Sequence, residues 1–121
     1  MTRKSVLAAV LALAAAAVLA ACRTSAGPAD LRLGVEAARD GGWEEAAARW
    51  AKVLAVDPSS AAAHNNLAVA CERLGRIDEA RAEYEAALKL APGDPRIQEN
   101  FRRFKASLGK PSEPVSREGP R

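Results

Sequence analysis

The most constraining feature of this 121-residue chain is a repeat. Between positions 27 and 94 the same pattern occurs twice, at an offset of thirty-four positions. Paired positions keep their character in both copies: Leu33 and Leu67, Gly41 and Gly75, Ala46 and Ala80, Trp50 and Tyr84, and Pro58 and Pro92. A unit of this length cannot bury its apolar face alone and must stack on a neighbour. The repeat therefore predicts stacked units with an extended groove that can hold another molecule.

Apolar residues recur at helical spacing in five segments, which predicts an all-α fold. Gly41 and Gly75 stand where a left-handed helix end favours glycine, and Pro58 ends the second segment because a proline pushes the preceding residue out of the helical region. Ser59 or Ser60 is the predicted N-cap of the third segment, and Asp94 that of the fifth. The predicted helices cover about residues 29–40, 43–56, 61–74, 76–90 and 95–108.

The predicted helices carry apolar stripes that should face a common core. The fourth helix has a stripe of Ile77, Ala80, Tyr84, Ala87, Leu88 and Leu90, and the fifth has Ile97, Phe101, Phe104 and Leu108. Cys71 falls on the inner face of the third helix, where a free cysteine behaves as a small hydrophobe. Redox chemistry or intermolecular pairing of Cys71 is the alternative.

Positions 1–21 have the order of a secretory signal peptide. Arg3 and Lys4 precede an uncharged, apolar run from Ser5 to Ala21. The run ends in Leu19-Ala20-Ala21-Cys22, which resembles the lipobox of bacterial lipoproteins. That resemblance implies lipidation of Cys22 and cleavage just before it. Three alternatives remain open. An ordinary signal peptidase could release a secreted protein, the run of about 17 residues could stay as a short membrane helix, or the match could be chance in an alanine-rich segment.

Cleavage would also change the charge of the chain. The full sequence has 18 basic and 15 acidic side chains, and loss of Arg3 and Lys4 leaves sixteen against fifteen. A nearly neutral protein gives no indication of binding to nucleic acid or to an acidic membrane surface. After the cleavage site, residues 22–28 form a linker that spans at most ~24 Å, so the repeats should sit close to the membrane. Residues 109–121 contain three prolines and one large apolar residue, Val115, and we expect them to be disordered.

With its small, aromatic and proline positions at these spacings, the repeated unit resembles a tetratricopeptide repeat (TPR). The resemblance is carried in the first copy by Leu33, Gly34, Ala46, Trp50 and Pro58, and in the second by Leu67, Ala68, Ala80, Tyr84 and Pro92. Asp30 and His64 stand where the family typically has tryptophan. The resemblance implies two stacked helix pairs, about residues 27–60 and 61–94, closed by a capping helix over about 95–108.

The sequence offers no constellation for catalysis. The single histidine, His64, lies seven positions before Cys71, which separates them by roughly 10 Å on one helix and leaves too few ligands for a zinc site. The carboxylates alternate with basic residues in a pattern typical of solvated helix faces. No glycine-rich phosphate loop is present. We therefore predict no enzymatic activity, no metal and no cofactor.

In TPR proteins the first helix of each repeat lines a concave face that binds partner peptides. Carried over to this sequence, the resemblance implies a groove formed by Leu31, Val35, Arg39, Asn65, Asn66, Val69, Glu72, Arg73 and Arg96. The mixed apolar and polar character of this set suits a short amphipathic protein segment. Leu31, Val35 and Asn100 depart from the TPR pattern that clamps a C-terminal carboxylate.

These features favour a lipid-anchored cell-envelope module that binds a protein or peptide partner, on the periplasmic face of the outer membrane of a Gram-negative bacterium. Arg23 after the lipidated cysteine supports the outer-membrane assignment by resemblance. Two alternatives have the same starting point. The module could be a structural lipoprotein that forms a homodimer, since two repeats plus a cap fall short of the usual three. It could also be a docking or regulatory subunit of an envelope hydrolase.

Overall fold

The computed structural model describes residues 27–110, which form five α-helices and no strand. The helices are α1 (Pro28–Arg39), α2 (Trp43–Val56), α3 (Ala61–Arg73), α4 (Ile77–Leu90) and α5 (Pro95–Leu108). The all-α prediction is confirmed, and the ends of the helices agree with the predicted ones to within a residue. The predicted signal peptide, Cys22, most of the predicted linker and the chain beyond Lys110 lie outside the described residues. None of the helices in residues 27–110 is long and apolar enough to cross a membrane.

Each helix ends or begins where its local chemistry requires. Gly41 and Gly75 adopt φ values of 81° and 76°, the left-handed conformation that closes α1 and α3 at little steric cost to glycine. Of the two candidate N-caps of α3, Ser60 is the one that caps the helix. Its hydroxyl accepts a hydrogen bond from the Ala63 amide at 3.2 Å. Asp94 caps α5 by accepting from the Arg96 and Ile97 amides. The left-handed glycine turn is common to both helix pairs, whereas α1 begins after Gly27 without a side-chain cap.

Successive helices pack against each other, so that α1–α2 and α3–α4 form antiparallel pairs and α5 covers α3 and α4. The core has two clusters, one around Trp50 between the first repeat and α3, and one around Tyr84 between the second repeat and α5. The first contains Ala46, Ala47, Trp50 and Ala70, and the second contains Ala68, Cys71, Ala80, Tyr84 and Phe104. Small residues let the helix axes approach closely, and the remaining space is filled by Trp50 in the first cluster and by Tyr84 and Phe104 in the second.

In each repeat, a small residue on the first helix packs against an aromatic ring on the second helix, but the residue sizes differ. In the first repeat a β-carbon at Gly34 would lie only 2.4 Å from Trp50 Nε1, so the indole ring fits because position 34 has no side chain. In the second repeat the equivalent residues are Ala68 and Tyr84, a larger residue facing a smaller ring. The indole N–H also donates to the Leu31 carbonyl at 3.1 Å. Ring size and facing residue are therefore matched within each repeat.

The positions where the family typically has tryptophan hold polar contacts instead. Asp30 is 6% exposed and accepts a hydrogen bond from Arg49 at 3.1 Å. The equivalent residues of the second repeat, His64 and Glu83, also contact each other, through His64 Nδ1. Both pairs join the first helix of a repeat to its second helix. The same structural position therefore carries a polar side-chain contact in both repeats, an Asp–Arg ion pair in the first and a His–Glu contact in the second.

The fifth helix completes the second cluster. Ile97 and Phe104 are fully buried, and the Tyr84 ring lies 5.5 Å from the Phe101 ring and 5.4 Å from the Phe104 ring. The prediction that Leu108 belongs to the buried stripe is wrong, because 40% of it is exposed, and Leu90 of the fourth stripe is 43% exposed. Both residues are the last of their helices, where the neighbouring helices no longer cover them.

Candidate functional site

The first helices of the repeats, α1 and α3, line a depression together with α5. It consists of two adjoining cavities, which we call the groove. The larger cavity, about 360 Å³, is lined by Val35, Ala38, Arg39, Trp43, Trp50, Asn65, Asn66, Val69, Arg96 and Asn100. The smaller cavity, about 130 Å³, is lined by Val69, Glu72, Arg73, Tyr84, Asn100 and Arg103. Because Val69 and Asn100 belong to both linings, the two cavities form one continuous surface.

The larger cavity has an apolar wall built around the only two tryptophans of the chain, Trp43 and Trp50. Trp50 is 3% exposed and is held in place by its hydrogen bond to the Leu31 carbonyl. The Arg73 guanidinium lies 5.2 Å from the centre of the Trp43 ring. A guanidinium over an aromatic face is attracted to the π-system. This wall therefore offers rigid apolar surface with a cation at its edge.

A chain of hydrogen bonds between side chains crosses the floor of the groove. Arg103 donates to Asn100 Oδ1 at 2.7 Å, Asn100 Nδ2 donates to Asn65 Oδ1 at 3.1 Å, and Asn65 Nδ2 lies 3.5 Å from Asn66 Oδ1. Asn65 is only 2% exposed, so these contacts satisfy its amide inside the fold. The chain ties α5 to α3. It also places the amides of Asn66 and Asn100 on the wall of the larger cavity.

The charged residues of the groove are mostly basic. Four arginines line it, Arg39, Arg73, Arg96 and Arg103, against one acid, Glu72. Within residues 27–110 the first three of these arginines form no salt bridge, and Arg103 lies 3.8 Å from Glu99. A fixed excess of guanidinium groups beside low-dielectric walls attracts anionic groups of a ligand. The groove thus combines an apolar wall with a positive rim.

Glu72, the acidic residue of the groove, accepts a hydrogen bond from a neighbouring side chain. The Tyr84 hydroxyl donates to Glu72 Oε2 at 3.0 Å. Burial, and secondarily the neighbouring Glu72 carboxylate, raise the pKa of Tyr84 well above its ordinary value. The phenol therefore stays protonated and acts as a donor, which orients the Glu72 carboxylate and reduces its repulsion of an incoming anion.

Of the nine predicted groove residues, the structure brings eight together on these walls: Val35, Arg39, Asn65, Asn66, Val69, Glu72, Arg73 and Arg96. Leu31 is not part of either lining, because its side chain packs against the first core cluster. Asn65 lies beneath Asn100 and supports the wall more than it forms the accessible surface. The predicted lipidation residue, Cys22, lies outside the described residues.

The predicted groove residues did not include two residues on α5 that line the groove, Asn100, identified from the sequence only as a departure from the clamp pattern, and Arg103. Asn100 and Arg103 lie one repeat length after Asn66 and Val69, which the TPR resemblance assigns to the groove. Extending the repeat offset into the fifth helix would therefore have found them. The sequence also indicated no more than a packing role for Trp43 and Trp50. Both also line the larger cavity, where Trp43 has accessible surface and Trp50 is almost fully buried.

In the described part of the chain, no three His, Cys, Asp or Glu residues are grouped as metal ligands. His64 uses its ring nitrogens for structure: Nδ1 contacts Glu83, and Nε2 lies 2.9 Å from the Pro58 carbonyl. Cys71 is 1% exposed and free, and burial raises the pKa of its thiol. A buried thiol with a raised pKa is a poor nucleophile.

The arrangement of paired helices around a concave groove defines a helical-repeat protein of the class that binds other proteins. Comparison with known families identifies it further: residues 31–95 match the tetratricopeptide repeat family. The match covers more than half of the chain, and the protein belongs to this family. No curated protein is similar enough in sequence to be recognised as a relative.

One solved structure with a similar fold is the first TPR domain of Spaghetti (RPAP3) bound to the HSP90 peptide SRMEEVD. It superposes with a TM-score of 0.66 at 19% sequence identity, over 72% of this chain and 70% of that one. At 19% identity, this similarity shows a shared fold alone.

Proposed function

We propose that this protein is a lipid-anchored module of the bacterial cell envelope that holds a short segment of a partner protein in the groove. The groove itself carries the proposal, because it joins an apolar wall of two tryptophans to a rim of four arginines. The Spaghetti (RPAP3) domain, which has the same fold, binds a peptide. The lipobox-like sequence ending at Cys22 supports anchoring in the membrane, with the periplasmic face of the outer membrane as the site.

The partner segment should combine one bulky apolar side chain with acidic residues. The larger cavity, about 360 Å³, is wide enough for an aliphatic or aromatic side chain between Val35, Trp43 and Val69. Carboxylates beside that side chain would meet Arg39 and Arg96 at the larger cavity, or Arg73 and Arg103 at the smaller one. The amides of Asn66 and Asn100 can bond to the backbone of an extended segment.

The proposal is tested by photocrosslinking in living cells. A photoreactive amino acid replaces Ala38, which lines the larger cavity, and in a matched control it replaces Ala82, which is exposed on α4 and lines neither groove cavity. We expect a discrete crosslinked protein from position 38 alone, with the crosslink mapping to one short segment. The crosslink should be lost in an Arg39→Glu, Arg96→Glu variant and kept in an Arg32→Glu variant, because Arg32 is exposed on α1 outside the groove. Equal crosslinking from both positions would contradict a groove-bound partner.

The mapped segment is then synthesised and titrated against the purified protein. Because both tryptophans line the larger cavity, intrinsic tryptophan fluorescence reports directly on its occupancy. A saturable change, reduced by the double arginine variant, is the expected result. A separate test of anchoring compares the native chain with Cys22→Ala, which should lose its membrane association and change its electrophoretic mobility.

A further inference from the structure

The antiparallel helices bring three parts of the chain to one end of the domain. Helix α1 starts at Pro28 and rises ~18 Å, and α2 returns over ~21 Å, so that Val56 comes back to the level of Gly27. Helices α3 and α4 repeat this path, and Leu90 ends beside the start of α5. We call this the entry end and define it as Gly27, Val56–Ser60 and Leu90–Asp94.

The entry end carries apolar side chains that its own fold does not cover. Val56 is 49% exposed and Leu90 is 43% exposed. They occupy the same repeat position at the ends of α2 and α4, and the exposed prolines Pro58 and Pro92 follow each of them by two positions. Val56 and Leu90 are two of the three large hydrophobic residues exposed in the described part of the chain.

The two acidic side chains of the entry end accept hydrogen bonds within their own turns. Asp57 accepts hydrogen bonds from the Ser59 amide and hydroxyl, and Asp94 caps α5. The nearby bases are free to extend: Lys89 precedes Leu90, Lys52 lies one helical turn before Val56, and both are exposed. A lysine one turn from an apolar tip can keep its methylenes along apolar surface and its ammonium group among lipid phosphates.

The opposite end of the domain has a different character. Its turns, residues 40–42 and 74–76, hold Asp40, two left-handed glycines and Arg76, which pairs with Glu44 at 2.9 Å. It exposes one large apolar residue, Leu108, and Lys110 lies two positions after it. Two of the three large apolar residues exposed within residues 27–110 therefore lie at the entry end.

We infer that the entry end rests on the lipid surface of the membrane, with Val56 and Leu90 in contact with the interfacial region. This inference depends on the anchor at Cys22 proposed above. Gly27 lies five positions after Cys22, and an extended chain of that length spans at most ~18 Å. The anchor would therefore keep this end within ~18 Å of the bilayer, close enough for contact. Isolated apolar side chains with flanking lysines suit a fluid lipid interface, which needs no shape complementarity.

This contact sets the orientation of the groove. With the entry end on the bilayer, the helices stand on the membrane and the groove between α1, α3 and α5 opens sideways. A partner segment bound across the helices would then lie parallel to the membrane surface. Arg96, at the start of α5, would be closer to the lipid than Arg39, at the end of α1.

The test uses the full lipidated protein purified from membranes and inserted into protein-free vesicles of phosphatidylethanolamine and phosphatidylglycerol. An environment-sensitive fluorophore is attached to Val56→Cys, Leu90→Cys or, as the matched control at the opposite end, Leu108→Cys. Cys71 is 1% exposed and is spared by labelling under native conditions. We expect blue-shifted emission and several-fold stronger quenching by lipid-borne nitroxides at positions 56 and 90 than at 108. The control should be quenched by aqueous iodide.

The outcomes separate this inference from the proposed anchor. If the protein floats with the vesicles but probes at 56 and 90 behave like the probe at 108, the lipid contact is refuted and the anchor stands. If the protein does not float, both are refuted. If the two probes are shielded in native membranes only, the entry end docks on a membrane protein, which also overturns the lipid contact.

As a second measurement, a probe at the exposed Ala55 should move from lipid to water when Val56→Asp and Leu90→Asp are combined.

Discussion

The close approach of Gly34 to Trp50 makes a sharp prediction about stability. In most exposed helical positions a change from glycine to alanine stabilises a protein by about 1 kcal/mol, because alanine loses less backbone entropy. Here the added β-carbon would lie 2.4 Å from Trp50 Nε1 and 2.7 Å from Cε2, closer than non-bonded atoms allow. The indole ring is 3% exposed and has little room to move. We therefore expect Gly34→Ala to destabilise the domain.

The size of the effect follows from two opposing contributions. Overpacking of a tight core costs about 1–3 kcal/mol, and displacement of the indole would also lose the Trp50–Leu31 hydrogen bond, about 1 kcal/mol. The helix propensity of alanine offsets about 1 kcal/mol. The expected net loss in the free energy of unfolding is about 1–3 kcal/mol. As a control, Gly93→Ala meets no atom within 4 Å and should change stability by less than about 0.5 kcal/mol.

The assay is urea unfolding of a fragment beginning at Arg23, followed by circular dichroism, in a double-mutant cycle. Combining Gly34→Ala with Trp50→Tyr reproduces the Ala68–Tyr84 pairing of the second repeat. The double variant should be more stable than the sum of the single effects predicts, with a coupling energy of at least about 1 kcal/mol. The matching of residue sizes is refuted if Gly34→Ala is as stable as the parent, or if the two substitutions are additive.

Three further predictions come from the described contacts. His64→Asp would place a second carboxylate beside Glu83 and lower the free energy of unfolding in urea by about 1–3 kcal/mol. Adding Glu83→Arg recreates the ion pair of the first repeat and should recover most of the loss. No recovery would contradict the structural equivalence of the two pairs. The Tyr84 phenol has a raised pKa in the fold, so the stability it contributes is fully present below the ordinary tyrosine pKa of about 10 and is lost as pH rises above it. Because Tyr84 is the only tyrosine, its phenolate absorbance should appear together with alkaline unfolding, and ionisation of the native protein near its ordinary pKa would contradict this. The fragment should also remain monomeric in light scattering at its highest soluble concentration, and a dimer would show that a second copy covers a free edge.

The repeat offset accounts for most of what could be predicted from sequence. Each helix end is marked by local chemistry, such as the left-handed glycines and the Asp94 cap, and local chemistry does not depend on the rest of the fold. The groove residues on α1 and α3 followed from the TPR resemblance because the repeat geometry decides which helix faces inward.

What could not be predicted depends on contacts between distant residues. Periodicity placed Leu108 and Leu90 on apolar stripes, but whether the last residue of a stripe is buried depends on how far its neighbours extend. The hydrogen-bond chain through Asn65 and Asn100 joins residues 35 positions apart, and no spacing rule identifies it. The ion pair between Asp30 and Arg49 was equally hidden, since its equivalent in the second repeat has other residue types.

The stack has a chemical reason to end at α5. This helix occupies the place of the first helix of a third repeat: Asn100 and Gly109 follow Asn66 and Gly75 by one repeat length. A following helix would bring a large ring against position 102, where the earlier repeats have Gly34 and Ala68. Here the residue is Arg102, largely exposed and paired with Glu99 at 2.7 Å. Burial of that guanidinium against an aromatic ring would carry a desolvation cost that a small residue avoids.

The turn at the end of α5 also differs from the turns that end α1 and α3. Gly109 has a φ of −84°, whereas Gly41 and Gly75 have the positive values that direct the chain into the next helix. The sequence after it has Pro111 and Pro114 where the second repeat has Ile77 and Ala80. Proline at the fourth position of a helix removes its first backbone hydrogen bond. Within residues 27–110, the exposed Arg102 on α5 and the conformation of Gly109 both disfavour the packing of another helix in the manner of the earlier repeats, and the groove there has the width of three helices.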